Sequence, residues 1–181
     1  WIVDDTGIPK KGVHSVGVAR RYCGQLGKKE NCQVAVSLSI ANEWGSLPIA
    51  YRVYLPKVWS EDERRRKKAK IPTEVRFLTK PAIALEQLRW ALKAGVTPGM
   101  VAADAGYGND TEFREGVTSL NLKYCVGIQS TTTVWPPGLA PLPPRPYAGR
   151  GQPPARVRRT PEHQPLTVKE LALSLPPKAF R

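Results

Sequence analysis

Aspartates stand at the ends of two short apolar runs, and they are the residues of this chain best suited to chemistry. One run closes as Val3-Asp4-Asp5-Thr6-Gly7, the other as Ala102-Ala103-Asp104-Ala105-Gly106-Tyr107-Gly108. Carboxylates that share a site repel unless a proton or a cation lies between them. Oxygen-only ligands suit Mg2+, with Mn2+ as its substitute. Ions held in that way beside a phosphodiester activate water and stabilise the leaving oxygen. An aspartate at a strand end also serves a plainer purpose, shaping turns and capping helices. The elements that carry Asp4, Asp5 and Asp104 decide between these uses.

Trp1–Asp5 is an apolar run that predicts a buried strand. Cys32–Ala41 alternates apolar and small polar residues, and Leu47–Leu55 is β-branched and aromatic, so both read as strands. Asn42–Ser46 between them reads as a hairpin, which makes the two antiparallel. From Pro81 to Ala94 the period changes: Ala84, Leu85, Leu88, Ala91 and Leu92 fall at helical spacing. Thr79 is the expected N-cap and Gly95 the expected stop. Met100–Ala103 is a fourth strand ending at Asp104. Asn109 with Glu112 suggests a capping box for a second helix, and Leu122–Ile128 a fifth strand. This order predicts an α/β domain with a mixed five-stranded sheet flanked by helices. Functional groups in open α/β sheets gather at carboxyl ends of strands, where strand order reverses. If the first and fourth strands are neighbours, the two aspartate sites meet there.

Composition sets the wider frame. The chain has 181 residues, 41% of them hydrophobic, which suffices for a packed core and excludes wholesale disorder. No run approaches the roughly 18–20 apolar residues of a membrane span. Lys and Arg number 28 against 15 Asp and Glu, a formal charge of +13 that suits a phosphate backbone. Three cysteines without C-x-x-C spacing argue for idle thiols in a reducing cytoplasm rather than a disulfide scaffold or zinc site. Residues 1–135 form the expected core. Residues 136–165 hold ten prolines and read as an extended basic linker or loop, since proline removes backbone donors. Residues 166–181 begin a further element that Pro176-Pro177 cuts short. The opening Trp1-Ile2-Val3 reads like the interior of a strand, so the expectation is a fragment of a longer protein.

Two basic groups accompany the acids. Lys10, Lys11 and His14 follow the first aspartate motif, and Arg64, Arg65, Arg66, Lys67 and Lys68 form a charge run. Such a run is either a solvated segment or a track for phosphates. Trp44, Trp59 and Trp90 are expected to pack in the core or at turns, with Trp90 at the edge of its helix's buried face.

The stretch V-D-D-T-G-I-P-K-K-G-x-H-S-V-G-V-A-R-x-Y-x-G-x-x-G-K-x-x-N-C-Q-V-A-V-S-L, from Val3 to Leu38, closely resembles the catalytic-domain opening of bacterial insertion-sequence transposases. These are DDE-superfamily endonucleases with a ribonuclease H-like fold. V-A-A-D-A-G-Y-G, from Val101 to Gly108, looks like that family's second aspartate motif. The resemblance covers residues 1–135 and, more weakly, 166–181. It implies adjacent first and fourth strands, a first catalytic and metal-binding aspartate within the Asp4-Asp5 pair, and Asp104 as the second. Asp4 with Thr6 fits the family's pattern of an apolar residue, Asp, any residue and Thr. Asp5 stays a candidate, on the opposite face of a regular strand. The family uses two Mg2+ ions to hydrolyse double-stranded DNA at an element's end and to join the freed 3′-hydroxyl to target DNA. It implies a cytoplasmic, nucleoid-associated bacterial protein and admits a homodimer at full length. The family's third acid, a glutamate in a basic and aromatic motif, has no match here. Glu162 and Glu170 lack its surroundings, so the expectation is a third acid beyond residue 181 and a fragment inactive alone. A non-catalytic DNA-binding remnant is the competing reading. An Asp-nucleophile phosphotransferase is disfavoured, because Thr6 or Gly7 stands where its second Asp belongs.

Overall fold

Strand β3 (Lys28–Ala41) is the axis around which the chain is built. The computed structural model describes residues 1–180, and in it β3 pairs with three other strands. Cys32, Val34, Val36 and Leu38 are buried on one of its faces, and the small Ala35 and Ser37 on the other are buried too, so the middle of this central strand is covered on both sides. β1 (Ile2–Pro9) runs antiparallel to it, from Ile2 opposite Ser39 to Pro9 opposite Cys32. β2 (Ala19–Cys23) pairs with the first part of β3, and β4 (Ser46–Val53) with the second part. The β3–β4 hairpin turns at Asn42, whose side-chain oxygen accepts from the N–H groups of Trp44 and Gly45 at 2.9 and 3.0 Å.

Beyond β4 come two short helices, α1 (Lys57–Ser60) and α2 (Glu63–Lys68), and then the long helix α3 (Lys80–Lys93). Thr79 caps α3, its hydroxyl accepting from the N–H of Ala82 at 3.2 Å, and Gly95 takes a positive φ of 77° just past its end. α3 buries Ile83, Ala84, Leu85, Leu88 and Ala91 against Val3, Val36 and Leu38 of the sheet. Each of the larger aliphatic side chains among these contributes roughly 1.5–3 kcal/mol. β5 (Val101–Ala103), α4 (Ala105–Gly108), α5 (Thr111–Ser119) and β6 (Tyr124–Val126) complete this unit. β5 lies parallel to β1 on one side and to β6 on the other. The order is thus β2-β3-β1-β5-β6, with β4 also on β3.

The sheet has six strands among the described residues, where five were expected. The additional strand, β2, reads Ala-Arg-Arg-Tyr-Cys, and its charges conceal the alternation. Arg21 occupies an inward position there, its guanidinium lying 5.1 Å from the centre of the Tyr54 ring. The cap of α5 also differs: Asp110 accepts from the N–H of Phe113 at 2.8 Å, while Asn109 ends α4. An unforeseen helical turn therefore shifted the cap by one residue. Trp59 is buried with Val18 and Leu55 in a second, small cluster. Trp44 does not pack: it projects from the hairpin tip at 87% exposure, and Trp90 is half exposed. The three cysteines are free thiols, Cys23 and Cys32 buried and Cys125 exposed. No helix of the described residues is long and apolar enough to cross a membrane.

Residues from Ile128 onward form a separate unit. It contains the two-stranded pairing of β7 (Thr133–Val134) with β8 (Leu166–Thr167), followed by α6 (Val168–Ser174). Between β7 and β8, only the isolated bridges Leu142–Arg158 and Thr160–His163 interrupt irregular chain.

Candidate active site at the β1–β5 junction

The β1–β5 ladder ends at Val3 opposite Ala103, and the next residue on each strand is an aspartate. Asp4 and Asp104 therefore leave the sheet side by side. Neighbouring strands are separated by about 4.8 Å, and register-matched residues of parallel strands present their side chains to the same face. That face is opposite to the one where Val3 is buried under α3. Both aspartates are exposed.

Local hydrogen bonds orient each carboxylate and, among the described residues, engage one oxygen of each. Asp4 Oδ1 accepts from the N–H of Asp5 at 2.7 Å. Asp104 Oδ1 accepts from the N–H of Gly106 at 2.8 Å, and Asp104 thereby caps α4. The plainer use of Asp104, as a cap, is thus real, and it engages only one of the two oxygens. Two carboxylates at the ends of adjacent strands are a donor set that fits a hard divalent cation. Among the described residues no group of three or more His, Cys, Asp or Glu side chains comes together in this way. Glu170 is committed elsewhere: its carboxylate accepts from the Thr167 N–H and hydroxyl at 2.8 Å each, the capping box of α6.

Asp5 lies on the other face of β1, and its surroundings are different in kind. Lys80, at the start of α3, places its ammonium 2.6 Å from Asp5 Oδ2. The hydroxyl of Tyr107 donates to Asp5 Oδ1 at 3.3 Å. Tyr107 is buried at 1% exposure and packs against Phe113, with ring centroids 5.6 Å apart. Burial raises the pKa of its phenol well above the ordinary tyrosine value, and Asp5, Asp4 and Asp104 reinforce the shift. The phenol therefore stays protonated, as a donor to Asp5 must. One tyrosine senses all three carboxylates.

The turn after Asp104 is held by close backbone contact. A Cβ on Gly108 would come within 1.9 Å of the Gly127 carbonyl oxygen, and a Cβ on Gly127 within 2.9 Å of the Ala105 nitrogen. Glycine at both positions lets α4 rest directly on the end of β6, which fixes Asp104 at the mouth of the sheet.

Lys80 and Tyr107 escaped the sequence reading. Lys80 is 75 residues from Asp5, and nothing in its neighbourhood marks it. Tyr107 lay within the quoted A-D-A-G-Y-G motif, and a large aromatic among glycines was the one available signal. The two basic groups, by contrast, come together. Arg65 donates to the Val13 carbonyl at 2.8 Å, and His14 and Lys68 line one shallow cleft with Trp59, Arg65 and Ala69.

Comparison with known proteins gives the family. The whole chain, residues 1–181, matches the family model described as DDE superfamily endonuclease. It is 32% identical over 130 residues to the probable transposase for insertion sequence element IS701 of Microchaete diplosiphon. The match covers 71% of this chain and 31% of that protein, so the chain spans about a third of its relative's length. No solved structure matches.

Proposed function

The chain belongs to the DDE superfamily of endonucleases, and from that premise we propose that its sheet is the ribonuclease H-like catalytic core of an insertion-sequence transposase. In this reading Asp4 and Asp104 are the two metal-binding acids, and Asp5 is a positioning residue. The observation that carries it is the register of β1 on β5, which ends one step before both aspartates. A bound Mg2+ or Mn2+ would supply Lewis acidity to a phosphodiester and lower the pKa of a bound water.

The chain's own residues do the rest. Asp4 and Asp104 offer free carboxylate oxygens from adjacent strands on an exposed face, open to a duplex. The Gly106 N–H fixes the orientation of Asp104. Lys80 balances the charge of Asp5, and Tyr107 hydrogen-bonds it. A second uncompensated carboxylate beside Asp4 would otherwise compete for the ion. The formal charge of +13 favours double-stranded DNA, element ends and target alike, as the partner. Arginines of the proline-rich stretch 136–165, such as Arg156, Arg158 and Arg159, would act on phosphates without reading sequence. The setting would be the bacterial cytoplasm and nucleoid.

Two carboxylates hold one ion more readily than two. Residues 1–181 are therefore expected to bind Mn2+ and duplex DNA yet to cleave and join strands only slightly. The test is Mn2+ titration calorimetry beside cleavage of a labelled duplex that carries the element's end. Binding heat lost in both Asp4→Asn and Asp104→Asn supports the reading. Heat unchanged in both overturns the metal site and leaves a DNA-binding remnant.

A further inference from the structure

Two groups of cations, 50 residues apart in sequence, belong to segments that meet where Arg65 reaches Val13 and where His14 and Lys68 line one cleft. The connection β1–β2 (residues 10–18) is tied down at several points. Lys10 N–H donates to the Asn31 carbonyl at 2.9 Å, and the Gln33 amide donates to the Val16 carbonyl at 2.6 Å. Trp59 donates from its indole to the Val18 carbonyl at 2.8 Å. Arg65 of α2 reaches across to the Val13 carbonyl at 2.8 Å while its guanidinium lies 3.9 Å from the centre of the Trp59 ring. These contacts lock α2 onto the connection and bring His14 and Lys68 to the rim of one cleft.

The five cations of α2 then separate into two kinds. Arg65 and Arg66 are partly buried and committed to carbonyls, Arg66 donating to Val75 and Pro72 at 2.8 Å each. Arg64, Lys67 and Lys68 are exposed, as is Lys11 on the connection, and all four side chains are directed to solvent without an ion-pair partner among the described residues.

We propose that residues 10–14 and α2 form a single phosphate-binding surface for duplex DNA, contacted through Lys11, Arg64, Lys67 and Lys68. Arg65 and Arg66 are its scaffold. The proposal rests on the nuclease reading above and adds a location to it. Lys10 follows Asp4 by six residues along an extended strand, a span of about 20 Å at about 3.3 Å per residue. Duplex DNA rises about 3.4 Å per base pair. The basic surface therefore engages the backbone about six base pairs from a phosphate held at Asp4 and Asp104.

Fluorescence anisotropy with a labelled 25-base-pair duplex, across a salt series, tests it on the full 181-residue chain. Lys11→Ala with Lys68→Ala, one residue from each group, is expected to weaken binding about tenfold or more. The slope of log affinity against log salt should shrink by about one for each lysine. Lys93→Ala with Lys123→Ala removes the same charge elsewhere and should change affinity less than about twofold. Arg66→Gln keeps one donor for the carbonyls, and should lower the unfolding temperature while leaving the slope unchanged. Equal losses in the two lysine pairs would overturn the surface, since net charge would then explain everything. A slope reduced by about one in Arg66→Gln would overturn the scaffold assignment. A wild-type chain that binds no duplex at low salt overturns the nuclease reading and the surface together, whereas binding unaffected by Lys11 and Lys68 overturns the surface alone.

Discussion

The two faces of β1 carry neighbouring aspartates to opposite fates. On the helix-covered face Asp5 meets an ammonium and a buried phenol, and its charge is compensated within the fold. On the other face the Asp4 carboxylate accepts from the N–H of Asp5, and Asp104 stands one step past the end of the neighbouring ladder, as Asp4 does. Identical side chains one residue apart thus become a structural anchor and a candidate metal ligand. The pleat makes the difference: successive residues of a strand point to opposite sides, and only one side of this strand is packed under α3.

The contrast breaks most completely if the covered face loses its seat. Gly108→Ala forces a methyl group against the Gly127 carbonyl, where 1.9 Å is available, so either α4 or β6 must move. The expected cost is about 3 kcal/mol, equivalent to a fall of roughly 6–12 °C in the unfolding temperature. Calorimetry of the variant checks this, and a shift under about 2 °C would show that the α4–β6 contact is not tight.

Metal affinity sharpens the comparison. Asp4→Asn is expected to weaken Mn2+ binding at least about 100-fold, and Asp5→Asn about tenfold, because an outer partner tunes a site that it does not ligate. Lys80→Met should resemble Asp5→Asn. If Asp5→Asn proves more damaging than Asp4→Asn, the roles of the two faces must be exchanged.

A smaller effect separates the phenol from its neighbours. Tyr107→Phe removes one hydrogen bond, worth about 1–1.5 kcal/mol. It also alters the alkaline limb of stability. An unfolded tyrosine releases its proton near pH 10, whereas Tyr107 in the fold releases it at higher pH. Above pH 10 the native state then binds more protons than the unfolded one, so stability falls as pH rises, by at most about 1.4 kcal/mol per unit. Urea unfolding of both proteins from pH 9 to pH 11 should show the shallower decline in Tyr107→Phe. Parallel curves would mean that the phenol is not shielded.

The smallest effect belongs to the hairpin tip. Trp44→Ser should alter stability by less than about 0.5 kcal/mol, because the indole is 87% exposed and its neighbours are held by Asn42. A larger loss by urea unfolding would show that the indole packs.

Much of the frame was legible in the residues themselves. Val34, Val36 and Leu38 announced a half-buried strand, Thr79 and Gly95 bounded a helix, and Asn42 marked a hairpin. Each of these signals is local, a matter of period, cap or turn. β2 was concealed because the alternation there runs through arginines, and α4 because a four-residue turn has no period to detect. The aspartate motifs pointed to the family, through residue type and order along the chain. Tertiary structure alone decided which of Asp4 and Asp5 is free, since that depends on which face α3 covers. It also brought the ends of strands about 100 residues apart together one step before Asp4 and Asp104, recruited Lys80 and Tyr107 to Asp5, and set His14 beside Lys68 in one cleft. A face, a register and a shared surface arise from contacts between distant segments, and no local pattern of a single chain encodes them.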